Sequence, residues 1–126
     1  MKYMLLAYTN VKAWEEMLAN WDPNAPMPPE VQAACDFYEQ LGKELTESGE
    51  FVATEGLADP SHTKTVRKTS DGVEATDGPY AEVKEVLVSY AIVDCASHER
   101  AMEIAARVVD EVGDTVEVRP IPSGPF

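Results

Sequence analysis

The final strand-like segment, Thr115 to Ile121, places an acidic and a basic residue on one face. Glu117 and Arg119 alternate with Val116 and Val118, and alternate side chains of a strand point to opposite faces of its sheet. If the valines enter the core, the two charges project onto the other face, where they are costly unless paired. Arg119 can then anchor an anionic group such as a carboxylate, while Glu117 orients that group or acts as a base. The alternative is a structural ion pair that fixes the strand register or a dimer.

A second group of ionisable residues surrounds a turn before the longest predicted strand. Asp77 precedes Gly78-Pro79, which punctuates the backbone, and Tyr80 and Lys84 follow it. We expect this turn to line the mouth of a cleft. Asp77 and Lys84 are the candidate catalytic groups and Tyr80 a candidate substrate contact. The alternative is a turn whose aspartate caps its own backbone and whose charged side chains are solvated.

Three tyrosines are expected where the inner strands and the first long helix converge. Tyr8 and Tyr38 are candidate substrate-binding residues, since a phenol can donate a proton or line a pocket; the alternative for both, and for Tyr90, is ordinary packing. Cys35 and Cys95 are far apart in the sequence and neither has a second cysteine at metal-ligand spacing, so we expect both to be small buried hydrophobic residues. No glycine-rich phosphate loop occurs. We therefore predict neither a metal nor a cofactor.

A single domain over residues 1–126 must position these groups. Hydrophobic periodicity, broken by glycine and proline, predicts strand, short helix, helix, strand, hairpin, strand, helix and strand. This order is α+β, a ferredoxin-like sandwich with an inserted hairpin and an extra early helix. The predicted segments are Lys2–Tyr8, a short helix from Val11 to Trp21, a helix from Pro28 to Gly49, Phe51–Glu55, the hairpin Thr63–Lys68 and Val73–Thr76, Glu85–Asp94, a helix from Ser97 to Gly113, and Thr115–Ile121.

The strands that begin at Lys2 and Glu85 are apolar on both faces. Two helices can cover only one face of the predicted sheet, so the other face must meet a second subunit, a ligand or both. A large exposed apolar surface promotes aggregation. We therefore predict a homodimer formed through the open face.

The charge of the chain excludes some partners. Its 23 acidic and 10 basic residues give a net charge of -13, which repels phosphate backbones and anionic lipid surfaces. We expect no nucleic acid or membrane partner. No apolar run approaches the ~20 residues that span a bilayer, and the apolar N-terminal segment is too short for a signal peptide. These features favour a cytoplasmic protein.

Several segments resemble one known family. The sequence DGPYAEVKE at Asp77–Glu85 is followed by a strand, an alanine-rich helix and VEVRP at Val116–Pro120. Together with the opening MKYMLL, Gly56-Leu57 and Thr65-Val66-Arg67, it resembles the DGPF branch of the YCII-related proteins over nearly the whole chain. Tyr80 replaces the phenylalanine for which that branch is named.

The resemblance implies a dimeric α+β barrel, in which two ferredoxin-like sheets pack open face to open face. It implies no established reaction, although a His-Asp active site has been proposed for relatives. That pair does not carry over, because the only histidines are His62 and His98. We expect a cofactor-independent acid–base enzyme acting on a small anionic molecule in a dimer cleft. The alternative is a non-catalytic binding or regulatory module associated with an extracytoplasmic-function sigma factor system.

Overall fold

The computed structural model of the chain describes residues 1–79 and 84–125, which form a mixed α+β fold. The elements are β1 (Lys2–Asn10), α1 (Val11–Ala19), α2 (Pro29–Ser48), β2 (Phe51–Gly56), a short 3-10 helix (Pro60–His62), β3 (Lys64–Thr69), β4 (Gly72–Asp77), β5 (Glu85–Asp94), α3 (His98–Val112) and β6 (Thr115–Ile121). The predicted order of strands and helices is therefore confirmed.

Four of the strands form an antiparallel sheet in the order β2-β5-β1-β6. Leu5 in β1 pairs with Ala91 in β5 and with Val118 in β6, and this register places small and branched apolar residues side by side. β3 and β4 form a separate two-stranded sheet. In the described residues of this single chain, the strands form these two open sheets and no closed barrel.

Two of the helices have a side-chain cap at the N-terminal end. The Asn10 side chain accepts a hydrogen bond from the Ala13 N–H at 3.0 Å, and the Ser97 hydroxyl accepts one from the Arg100 N–H at 3.1 Å. Each cap satisfies a helix N–H that has no partner within the helix. At the C-terminal end of α2, Gly49 has a φ of 79°, a left-handed conformation that glycine adopts without a Cβ clash.

The hydrophobic core lies between one face of the sheet and the helices α2 and α3. Tyr3, Leu5 and Ala7 of β1 are buried there, because alternate residues of the strand share this face. The helices contribute buried residues at helical spacing, namely Leu41 and Leu45 from α2 and Ala101, Ile104, Ala105 and Val108 from α3. Cys95 is also buried, as expected.

The opposite face of the sheet is apolar but only partly buried in the single chain. Met4, Leu6 and Tyr8 of β1 have intermediate exposure, whereas Tyr3, Leu5 and Ala7, with which they alternate, are buried. The sequence pattern predicted apolar residues on both faces, and the structure places them so. Within the described chain, one face forms the core and the other remains accessible.

Two expectations for the helices were wrong. Cys35, which was expected to be buried, is an exposed residue of α2, a helix in which only Leu41 and Leu45 are buried. Helical spacing identified the inward face of α2 but not how much of that face overlaps the sheet. The first helix does not extend to Trp21 as predicted, because α1 ends at Ala19, and Trp21 is 56% exposed.

Ion pairs fix α3 to its neighbours. The Arg100 guanidinium forms two hydrogen bonds to the Glu50 carboxylate, at 2.9 and 3.0 Å, and joins α3 to the start of β2. This pairing lowers the pKa of Glu50. Arg107 in turn binds the Glu44 carboxylate of α2 at 2.6 Å, and its guanidinium lies 5.9 Å from the centre of the Phe37 ring. The two helices are therefore held in position above the sheet.

Candidate functional site

An open cleft of about 620 Å³ lies where the end of β1 meets the beginnings of β5 and β6. Tyr8 pairs with Leu87 of β5 and with Thr115 of β6. The N–H of Val11 donates to the carbonyl oxygen of Lys84 at 2.9 Å, so the end of β1 is tied to the segment before β5. The cleft is lined by Tyr8, Asn10, Lys84, Glu85, Thr115 and Glu117.

The described lining of the cleft includes one cation and two carboxylates. The Thr115 hydroxyl donates to Glu85 at 3.0 Å and thereby restrains that carboxylate. Among the described residues, neither Lys84 nor Glu117 has an ion-pair partner within 4.0 Å. Both side chains are exposed in the single chain. A positive and a negative group are thus available to a third molecule on one side of the sheet.

Arg119 lies on the same face of β6 as Glu117, two residues further along the strand. The burial pattern alternates as expected, with Val116 and Val118 partly buried against the core and the two charged residues exposed. Two residues of a strand span about 6.8 Å, so the guanidinium extends the charged surface beyond the cleft. No ion pair joins Arg119 to Glu117, nor to another acid in the part of the chain that is described.

Asp77 is separated from this cleft. It is the last residue of β4 and pairs with Lys64, its partner in the β3–β4 ladder. The Asp77 side chain is 85% exposed, and the residue does not line the cleft. Gly78 follows with a φ of 92° and donates its N–H to Thr63 at 2.9 Å. Tyr80 lies outside the described residues.

Tyr38 lies in a different part of the molecule. It lines a cavity of about 310 Å³ between α2, α3 and the core face of the sheet. Burial raises the pKa of its hydroxyl, and the nearby Asp114 carboxylate adds to the effect. The predicted set of seven residues therefore divides. Tyr8, Lys84 and Glu117 share the open cleft, with Arg119 beside it, whereas Asp77 and Tyr38 are elsewhere.

Asp114 was missed by the sequence analysis. It connects the end of α3 to β6 and is partly buried, and burial raises the pKa of its carboxyl group. The nearby Thr9 side chain opposes that increase in pKa, and the negative charge of Glu85 adds to it. In the sequence, Gly113-Asp114 has the composition of an ordinary loop between a helix and a strand. Only the folding of β1 beside β6 brings this carboxyl group against Thr9.

The histidines do not form a catalytic pair in the structure. His62 ends the short 3-10 helix and is exposed, and the His98 ring packs edge-on against Tyr3 at 5.6 Å between ring centres. Within residues 1–79 and 84–125, no three histidine, cysteine, aspartate or glutamate residues are grouped as metal ligands would be. The helices described there are all too short or too polar to cross a membrane.

Comparison with known proteins gives one family. The family model of the YCII-related domain matches residues 1–122. An uncharacterised protein of Rhizobium meliloti (strain 1021) is 30% identical over 81 residues, which are 63% of this chain. The matched region spans 65% of that relative's length.

Proposed function

This chain belongs to the YCII-related family, and we propose that it binds a small anionic molecule in the cleft of Tyr8, Lys84 and Glu117. We further propose that acid and base side chains of the cleft act on this molecule without a cofactor. The supporting observation is that Lys84, Glu117 and Arg119 lie on or beside one cleft and have no ion-pair partner among the described residues.

The charge of the whole chain makes local cations important for this role. A chain with a net charge of -13 repels an approaching anion, so binding needs positive groups close to the site. Lys84 supplies a compact cation inside the cleft. Arg119 supplies a planar guanidinium beside it, which matches the two oxygens of a carboxylate.

The remaining groups suit proton transfer. Glu117 is the general base of the proposal, because it lies in the cleft with Lys84 and between Thr115 and Arg119 along β6. The Tyr8 hydroxyl and the Asn10 amide can hydrogen-bond and orient the ligand. The chemistry that fits is proton abstraction next to a carbonyl or carboxylate group, with Lys84 stabilising the negative charge that develops.

We also propose that the cleft is completed by a second copy of the chain. Met4, Leu6 and Tyr8 belong to an apolar sheet face that is only partly buried in one chain. The strand order β2-β5-β1-β6 suits a ferredoxin-like sandwich, two of which can pack open face to open face. On this proposal the protein is a DGPF-type member of the family that works in the cytoplasm, and dimerisation removes water from around Lys84 and Glu117.

Ligand titrations followed by NMR test the binding step. We expect pyruvate, acetate or inorganic phosphate to produce saturable shifts of the backbone amides of Tyr8, Lys84 and Glu117. Replacing Lys84→Met and Arg119→Gln should each weaken binding, and the double replacement should abolish it. Arg67→Gln is the matched control, because Arg67 is an exposed arginine in the middle of β3, away from the cleft.

Turnover is measured separately by exchange of the pyruvate methyl protons with deuterium. The expected result is an exchange rate above that of buffer, which falls to the buffer rate in Glu117→Gln while pyruvate still binds. Binding that is equally strong in Lys84→Met and Arg67→Gln would refute the site. Binding without any exchange in the unmodified protein would refute catalysis on pyruvate and favour a non-catalytic binding role.

A further inference from the structure

The cavity between α2, α3 and the sheet is a second concave site. It has a volume of about 310 Å³ and is lined mainly by aliphatic side chains, among them Leu41, Leu45 and Val108. A cavity of this size falls within the range of small-molecule sites. The described lining residues include no charged side chain. This chemistry differs from that of the cleft at Lys84 and Glu117.

Gly42 provides an independent reason to regard the cavity as functional. It lies in the interior of α2, where glycine is less favourable than any residue except proline. Its φ is not in the left-handed region, and a Cβ built on it meets no atom within 4 Å. Neither the backbone conformation nor a close neighbour therefore requires a glycine. Because Gly42 lines the cavity, a larger side chain would occupy the empty space.

The polar side chains of the described lining carry hydroxyls, namely those of Tyr38, Thr54, Ser89 and Tyr90, and the Thr54 hydroxyl already donates to the carbonyl oxygen of Tyr90 at 3.0 Å. Tyr38 lies on α2, the same helix as Gly42, and Ser89 lies on β5 across the cavity. A tyrosine hydroxyl is protonated at neutral pH and can donate a hydrogen bond, and burial raises the pKa of Tyr38 further. A charged ligand would lose its hydration here without gaining a counter-charge from the lining.

We propose that this cavity binds an uncharged small molecule with an apolar body and one hydrogen-bonding end. The apolar body lies among Leu41, Leu45 and Val108, and the polar end meets the hydroxyls of Tyr38 and Ser89. Gly42 keeps the space open for this ligand. The site goes beyond the charged cleft proposed above and does not depend on it.

Three related probes test the proposal, namely 4-ethylphenol, ethylbenzene and the anion 4-ethylbenzoate. We expect 4-ethylphenol to give saturable NMR shifts at the amides of Gly42, Ser89 and Ala91. We expect 4-ethylbenzoate to bind at least about tenfold more weakly because its charge is desolvated without a partner. In Tyr38→Phe, the preference for 4-ethylphenol over ethylbenzene should decrease.

Substitutions at two glycines distinguish a ligand-binding cavity from a packing defect. Gly42→Leu should fill the cavity and abolish binding of 4-ethylphenol, whereas Gly124→Leu should leave binding unchanged. Gly124 is the matched control because a Cβ there also meets nothing within 4 Å and the residue does not line the cavity. Gly42→Ala should weaken binding by less, and it replaces the leucine variant if circular dichroism shows that the latter does not fold.

Three results would overturn the proposal. The first is that 4-ethylphenol produces no saturable shift at the cavity amides of the unmodified protein. The second is that 4-ethylbenzoate binds as tightly as the phenol. The third is that the folded Gly42 variant binds 4-ethylphenol with unchanged affinity.

Discussion

Replacement of Gly42 by alanine should stabilise the protein, which is unusual for a change next to the core. Alanine is favoured over glycine in a helix interior by about 0.8–1.0 kcal/mol. The new methyl group meets no atom within 4 Å, so the substitution incurs no overpacking penalty. The expected gain in the free energy of unfolding is therefore about 1 kcal/mol. For a chain of this length that gain corresponds to an increase in Tm of roughly 3–5 °C.

The same substitution at the end of the same helix should have the opposite effect. Gly49 has a φ of 79°, and a left-handed conformation costs a residue with a Cβ about 1–2 kcal/mol. Gly49→Ala should therefore destabilise the protein. Both variants are compared with the unmodified chain by urea and thermal unfolding, followed by circular dichroism at one protein concentration. A loss of stability in Gly42→Ala would show that the glycine meets a packing requirement and would refute the reasoning.

Three further predictions concern the ion pair, the partly buried acid and the open face. Arg100→Met should lower stability at neutral pH by about 1–3 kcal/mol. The lowered pKa of Glu50 means that this contribution is present above the pKa of an unfolded glutamate and is lost as the pH falls through the folded value, so urea unfolding should show the difference vanishing in acid. The raised pKa of Asp114 has the opposite sign: stability decreases as the pH rises through the folded pKa. Asp114→Asn should therefore stabilise the protein at neutral pH and have little effect below the pKa of an unfolded aspartate. Finally, Leu6→Lys should dissociate the proposed dimer in sedimentation experiments, whereas Val66→Lys on the exposed hairpin should not.

Each of these predictions can fail in a distinct way. A difference between Arg100→Met and the parent protein that persists in acid would show that Glu50 is not the stabilising partner. A loss of stability in Asp114→Asn at neutral pH would show that the interaction of the carboxylate with Thr9 outweighs the cost of the partly buried charge. A Leu6→Lys variant that sediments like the parent protein would show that the open face is not the dimer interface.

Much of the fold was predictable because it depends on local patterns. Strand alternation placed Glu117 and Arg119 opposite the core, and helix caps are defined by short side chains such as Asn10 and Ser97. The two-faced character of β1 was visible in the same way. Such features depend on neighbours within a few residues, which the sequence contains directly.

The composition of the site was harder to predict because it depends on pairing between distant segments. Asp77 and Lys84 are close in sequence. In the structure, however, Asp77 lies opposite Lys64 in the β3–β4 ladder and forms its ion pair with that residue. Tyr38 has the helical spacing of a core residue, yet it is 42% exposed at the edge of a cavity. Asp114 becomes partly buried only when β1 and β6 pair, and no local signal marks it.

The most direct test of the proposed function is a pyruvate titration of the isotope-labelled protein at neutral pH, in parallel with Lys84→Met. The proposal predicts saturable amide shifts at Tyr8, Lys84 and Glu117 in the unmodified chain and their loss in the variant. Shifts that are absent at millimolar pyruvate, or that are the same in both proteins, would contradict it.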